Sequence, residues 1–459
     1  MVGFVFLAII ALAFAAYLSG QRRGHKFQNY SDVQAHSRPA YHGTYVALWV
    51  GIPALFFVLG FLLFKNTIID SILRANLASA MIEGLDAQKI SLLISEVKQI
   101  ANGQMFGEPN EAILRTAETY KSLRSSANWA LVVVALAIAL VGGAFALSRL
   151  RPRFRARHGV EQILRWVMIL CCLLAILTTA GIVFSLLFEA SRFFKSVSPL
   201  EFFFGLNWEP QIAIREDQVA SSGAFGAVPV FAGTILIAII AMLVAIPIGL
   251  FSAIYLTEYA SPRFRAWVKP LLEILAGIPT VVYGFFAVLI VAPAIRSAAA
   301  SIGLDVAPNS ALAAGAVMGV MIIPFVSSLS DDALAAVPSA MREGSYGLGA
   351  TKAETITQVL LPAALPGIMG GILLAVSRAI GETMIVVMAA GLIANLTANP
   401  FEGVTTVTVQ IVTLLIGDTE FDSPKTLAAF ALGLTLFVAT LCLNVAALRI
   451  VQKYREKYD

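Results

Sequence analysis

Arg378 and Glu382 lie four residues apart inside an otherwise apolar run. On a helix that spacing sets both charges on one face, within reach of each other. A guanidinium is a planar fork of donors that matches a tetrahedral oxyanion such as phosphate through two parallel hydrogen bonds. A charge near the centre of a bilayer costs about 2.5–3.5 kcal/mol on insertion scales, so the pair requires a partner, a wet cavity or both. The expectation is that Arg378 faces a path through the membrane and that Glu382 pairs with it when the path is empty. The competing reading is an ion pair that only fixes helix packing. Glu273, Pro279 and Tyr283 form a second candidate. Pro279 should break its helix, and Tyr283 then either donates to a passing anion or shapes the packing.

Other chemistry finds little support. The four histidines, at 25, 36, 42 and 158, lack metal-ligand spacing, so no metal site and no catalytic residue is expected. Cys171, Cys172 and Cys442 fall inside apolar runs, where a structural disulfide is not expected. No G-x-x-x-x-G-K-[S/T] occurs, and the nearest string, 347–352, has the wrong order to cradle phosphates. Any ATP that drives this protein is therefore bound by another chain.

A polar island, EGSYGLGATKAETITQVLLP at 343–362, separates two apolar runs. Thr351 and Glu354 have capping-box spacing, so a helix should begin just after Gly349, which can close the preceding helix in a left-handed conformation. Ala353, Ile356 and Leu360 then make one apolar stripe suited to a groove on a partner, and Pro362 is expected to stop that helix before the chain re-enters lipid.

Composition sets the class that must hold these residues. With 58% hydrophobic and 13% charged residues and a mean hydropathy of +0.82, the chain is too apolar for a soluble domain. The apolar runs are continuous rather than alternating, so the fold is all-α, a polytopic membrane protein. Nine spans are predicted, at 2–19, 44–64, 127–148, 163–188, 228–256, 267–294, 309–330, 364–392 and 426–450. Basic clusters at Arg22, Arg23, Lys26 and Arg38, then along 149–157, at Arg263, Arg265 and Lys269, and at Lys453, Arg455 and Lys457 fit one threading, with the N-terminus outside and the C-terminus in the cytoplasm. The arginine stripe is a topology anchor touching anionic lipid rather than a nucleic-acid site, and it marks a boundary between residues 1–150 and 151–459. The first region holds three spans and an external helical segment, 66–126, patterned by Ile69, Ile72, Leu73, Leu92, Ile94 and Val97. The glycines Gly367, Gly370, Gly371 and Gly381 are expected to permit close helix contact. Phe193, Phe194, Phe202, Phe203, Phe204 and Trp208 suggest either a membrane-interface belt or a docking surface for an external protein. The segment 393–425 contains an apolar stretch that re-enters the membrane edge as a lid or packs as a loop.

The polar island resembles the cytoplasmic coupling motif of ABC-importer permeases, E-A-A, three residues, G, nine residues, I-x-L-P. Glu343-Gly344-Ser345 fills the opening, Gly349 is in place, Val359 stands for the isoleucine, and Leu361-Pro362 closes it, within a cytoplasmic segment 331–362. The stretches 196–210, 225–260, 271–287 and 377–384 are similar to the phosphate-specific permeases of the PstC type, across a six-helix core; residues 1–150 depart from that shorter pattern. The resemblance implies a subunit of a bacterial inner-membrane importer of inorganic phosphate. It would pair with a second permease, a cytoplasmic ATPase dimer and an external phosphate-binding protein. Permeases for phosphonate or molybdate share the motif and stay open as alternatives. An ion-driven secondary transporter fits less well, because no internal repeat is evident.

Overall fold

The computed structural model describes residues 2–28, 36–76, 87–103, 111–210, 223–416 and 423–454. Within them the chain is almost wholly helical. Its order is α1 (Val2–Gln28), α2 (Pro39–Asn76), α3 (Ala87–Ala101), α4 (Glu111–Arg149), α5 (Ala156–Ser196), α6 (Pro199–Phe204), β1 (Trp208–Glu209), β2 (Ala224–Phe225) and α7 (Val228–Ile254), then a π turn (Tyr255–Tyr259). There follow α8 (Pro262–Gly277), α9 (Thr280–Phe286), a second π turn (Ala287–Val291), α10 (Ala292–Ser301), α11 (Ala311–Ala335), α12 (Ser339–Gly347), α13 (Lys352–Glu354) and a third π turn (Thr355–Leu360). The chain ends with α14 (Leu361–Ile380), α15 (Met384–Ala389), α16 (Val407–Leu415) and α17 (Pro424–Tyr454). Nine segments among the described residues are long and apolar enough to cross a membrane, as the sequence predicts. Two of them differ in place. The sixth is Thr280–Ser301, because Pro279 separates it from α8, and the eighth is Lys352–Ile380, because the coupling segment runs straight into it.

The chain divides into two compact units, Met1–Leu177 and Thr178–Asp459. In the first, α1, α2 and α4 bury Val5, Ile9, Val50, Ala54, Val58, Leu131, Ala135 and Ala139 between them. Helices α2 and α4 have 38 and 39 residues. At 1.5 Å per residue each far exceeds a hydrocarbon core of about 30 Å. The described parts of 66–126 are the overhang of these two helices and α3, which sets Val97 and Ile100 against Ile113 and Ala117 of α4, with Lys98 Nζ 2.7 Å from an Asp70 carboxylate oxygen. The side chain of Leu92 lies outside the described residues. The unit boundary also falls later than the arginine stripe. Leu150 and Val160, which flank that stripe, are buried with Tyr45, Val46 and Ala146, so the apolar residues hold the turn in the bundle while the arginines point outward.

The second unit centres on α7 and α11. A Cβ at Gly315 or Gly319 would lie 2.7 Å from Cβ of Ile240 or Val244, so the two helices approach closely at these glycines. Among the glycines expected to do this, Gly367 and Gly371 do, against Ala333 and Leu329; Gly370 faces open space and Gly381 meets only its own helix end. The aromatic patch is split. Phe193, Phe202 and Trp208 are core residues with Phe225, Val407 and Leu432, whereas Phe203 and Phe204 are exposed. The apolar stretch near 407 is packed structure too: Val407 N donates to Thr234 Oγ1 at 3.0 Å, and Val407, Val409 and Leu414 are buried. The polar remainders at 211–222 and 417–422, like Arg455 and Lys457, lie outside the described residues.

Candidate functional site

The coupling segment folds as two helices around a tight joint. Helix α12 carries Glu343, Gly344 and Ser345 and buries none of its residues. It closes as a Schellman motif: Ala350 N donates to Ser345 O at 3.2 Å and Gly349 N to Tyr346 O at 3.0 Å, with Gly349 at φ +87°. Thr351 then caps α13. Its hydroxyl accepts from Glu354 N while the Glu354 carboxylate accepts from Thr351 N at 2.8 Å. The joint leaves Tyr346 and Leu348 exposed, Leu348 at 92%.

Two expectations about this segment are overturned. Ile356 and Leu360 do not face a partner; they are buried at 4% and 0% against Ala253, Leu334, Val337, Ala364 and Ile368 of the same chain. Ala353, the third residue of the stripe, is exposed, so the exposed surface of the segment is α12, the Gly349 joint and α13. Nor does Pro362 stop a helix. Helix α13, the third π turn and α14 are continuous, and Leu361, on the third π turn's C-terminal side, bonds Ile356 O. The wide turn and an early position in α14 accommodate the missing proline N–H, so the part of the segment after Gly349 runs into the span as one continuous helix.

The second site lies at two helix breaks. Helix α14 ends at Ile380, so Arg378 is in its last turn and exposed, where a cation also suits the helix dipole. Glu382 lies past the end, and its spacing from Arg378 no longer puts the two on one helical face. Its Oε1 instead accepts from Met384 N at 3.2 Å, at the start of α15, and its carbonyl accepts from Thr408 Oγ1 at 2.9 Å. No ion pair joins Arg378 and Glu382 among the described residues. The other break, at Gly277 to Pro279, is the one the proline predicts. Tyr283 is 7% exposed and its hydroxyl donates to Leu275 O at 2.8 Å, satisfying a carbonyl at the end of α8. With its only proton spent there, it has none to give an anion. The helices after the breaks pack on each other, since a Cβ at Gly284 would be 2.7 Å from Met388 Sδ.

Sequence reasoning missed a cluster of charges beside the coupling segment. The Asp331 carboxylate, 5% exposed, accepts from Arg265 Nη2 at 2.8 and 2.9 Å, from Lys269 Nζ at 2.8 Å and from Thr257 Oγ1 at 2.5 Å. Glu258, also 5% exposed, binds Arg342 Nη2 at 2.7 Å. The Asp331 bond holds the Lys269 ammonium above the ordinary lysine range, against the opposing effect of partial burial. Arg265 and Lys269 had signalled only topology. The signal that was present is Asp331 itself, an acid at the edge of an apolar run that needs a cation if it is buried. Among the described residues no cluster of His, Cys, Asp and Glu has the makings of a metal site, and the three cysteines are free and exposed.

Relatives fit this architecture. A family described as "Phosphate ATP-binding cassette transporter" matches residues 6–178, and one described as "Binding-protein-dependent transport system inner membrane component" matches residues 245–456. The first match ends where the first compact unit does. The chain is 35% identical to the probable ABC transporter permease protein YqgH of Bacillus subtilis, over 60% of this chain and 85% of that one. It is 31% identical to the phosphate transport system permease protein PstC of Mesorhizobium japonicum, over 49% of this chain and 72% of the relative. To PstC of Haemophilus influenzae it is 28% identical, over 68% and 98%. With nine segments among the described residues long and apolar enough to cross a membrane, and with its jointed coupling helices, the chain belongs to the PstC-type family of binding-protein-dependent ABC-transporter permeases.

Proposed function

We propose that this chain is the membrane subunit of an ATP-driven importer of inorganic phosphate in the bacterial inner membrane, forming half of the translocation path beside a second permease. The single observation that carries the reading is the exposed, glycine-jointed coupling segment fused without a break to a membrane-crossing helix, in a chain whose relatives are phosphate permeases. A cytoplasmic ATPase dimer grips α12 around Glu343, Gly344 and Ser345, and an external phosphate-binding protein delivers the anion. Because Leu361 and Pro362 continue the helix, a shift of the segment moves α14 as a body and alters the break at Gly381. Arg378 is the anion-contacting residue: it is exposed, without a carboxylate partner, and at the end of the helix that the segment drives. Glu382 holds the break by capping α15, and Tyr283 braces the neighbouring one. The N-terminus lies outside and the C-terminus in the cytoplasm.

Uptake of labelled inorganic phosphate by cells expressing the complete transporter tests this, with Arg378→Lys, Arg378→Gln and Arg378→Ala at matched protein levels. Strong loss with Gln and Ala supports the assignment, and normal uptake in all three removes Arg378 from the path. A cysteine introduced at Leu348 must react with impermeant reagent only from the cytoplasmic side. Unlabelled phosphonate and molybdate as competitors settle selectivity.

A further inference from the structure

The first π turn, Tyr255–Tyr259, presents three consecutive residues to three different pieces of the coupling region. The Thr257 hydroxyl is shared between Ala253 O at 2.8 Å and Asp331 Oδ1 at 2.5 Å, and so reaches α11. Glu258 holds Arg342 of α12. The Tyr259 ring lies under the Lys352 ammonium of α13, 4.7 Å from its centroid. A helix wound with i→i+5 bonds, here Ala260 N to Tyr255 O at 2.9 Å, brings adjacent side chains to bear in a way that a regular turn does not, and such bulges recur at working sites.

Two of the pieces are held mainly by polar contacts: α12, which the turn touches directly, and α8, which it reaches through Asp331. Helix α12 buries no residue; Glu258–Arg342 is its only ion pair among the described residues, beside a Ser345–Thr355 hydroxyl contact at 2.9 Å and the packing of Met341 on the cluster around Leu360. Helix α8 also buries none, although Phe264, Trp267, Leu271 and Ile274 lie along it. Its polar anchors are the Asp331 grip on Arg265 and Lys269, with Asp332 3.7 Å from Lys269, and the Tyr283 bond to Leu275 at the other end; the Tyr255 ring of the π turn also meets Phe264 edge-on. Immediately after Leu275 comes the break at Pro279.

We propose that this π turn is the joint through which the coupling segment positions α8 and the helix break that follows it, with Glu258 and Asp331 as positioning residues. The proposal rests on the reading of the chain as an importer subunit. It differs from a motion carried by α14 alone, because it requires that displacement of α12 reach α8 through Glu258, Thr257 and Asp331.

The test is made on the whole transporter reconstituted in proteoliposomes, with inorganic phosphate uptake and ATP hydrolysis measured on the same sample. Glu258→Gln is expected to lower phosphate moved per ATP hydrolysed by roughly 5- to 150-fold, the range of ordinary coupling energies, and the exchange Glu258→Arg with Arg342→Glu to restore most of it. Thr257→Val, a milder change, should lower the same ratio less. An unchanged ratio in Glu258→Gln overturns the proposal. So does loss of ATPase from the purified complex that the charge exchange fails to repair, since the contact would then be merely structural. A wild-type chain that purifies without an ATPase overturns the importer reading itself, and the proposal falls with it.

Discussion

The charges at the end of α14 and those beside the coupling segment sit on membrane-crossing helices, yet the fold handles them in opposite ways. Asp331 and Glu258 are almost fully buried and take every cation that reaches them from α8 and α12. Arg378 is left exposed, and Glu382, half-buried four residues on, turns away to cap α15. A buried charge is stable only when its partners are complete, so the first cluster is an anchor. Arg378, at a helix end and without an ion pair among the described residues, is left with its donors uncommitted.

The largest effect should come from breaking the anchor. Asp331→Ala takes from Arg265 its carboxylate and leaves Lys269 only Asp332, 3.7 Å away, and a loss of about 2–3 kcal/mol is expected in thermal unfolding in detergent. The figure lies below the 3–5 kcal/mol of a fully buried pair because both cations are about a third exposed. A wild-type melting curve would make the cluster ornamental. Arg378→Gln should sharpen the contrast from the other side. Phosphate uptake falls about 10- to 100-fold, the worth of one charge-assisted hydrogen bond, while the melting temperature stays near that of wild type. A large drop in stability would show that Arg378 is structural after all.

Gly349→Val probes the joint. Forcing a β-branched residue to φ +87° costs about 1–2 kcal/mol locally, enough to unravel the turn between α12 and α13. Phosphate-stimulated ATP hydrolysis should drop with membrane insertion intact, and equal loss of insertion would indicate a folding role. The smallest effect concerns pH. The folded Lys269 pKa is raised, so its contribution is complete below the ordinary lysine value of about 10.4 and fades only as pH rises through the higher folded value. Melting temperatures of wild type and Lys269→Met should therefore differ by a constant amount across the neutral range and converge in strong alkali.

The nine long apolar segments among the described residues, the Gly349 joint, the Thr351 box and the Pro279 break were legible in the sequence because each rests on neighbouring residues: an apolar run, a positive φ, a cap three residues from its partner, a missing N–H. Where a helix ends inside an apolar run was not. The sequence 377–384 carries no strong stop, and the Arg378–Glu382 pairing failed because the chain leaves the helix at Ile380. The direction of the Ile356 and Leu360 stripe was equally hidden, since an apolar face looks the same whether a partner or the chain's own α7 and α11 covers it.

Local covalent order thus determined the class of molecule, the number of its apolar runs and the Gly349 joint with the Thr351 cap that follows it. Tertiary structure alone decided which charges meet, because Asp331 is 66 and 62 residues from Arg265 and Lys269, and Glu258 is 84 from Arg342. Contacts across such separations depend on how the helices pack, and hydropathy and spacing carry no record of that.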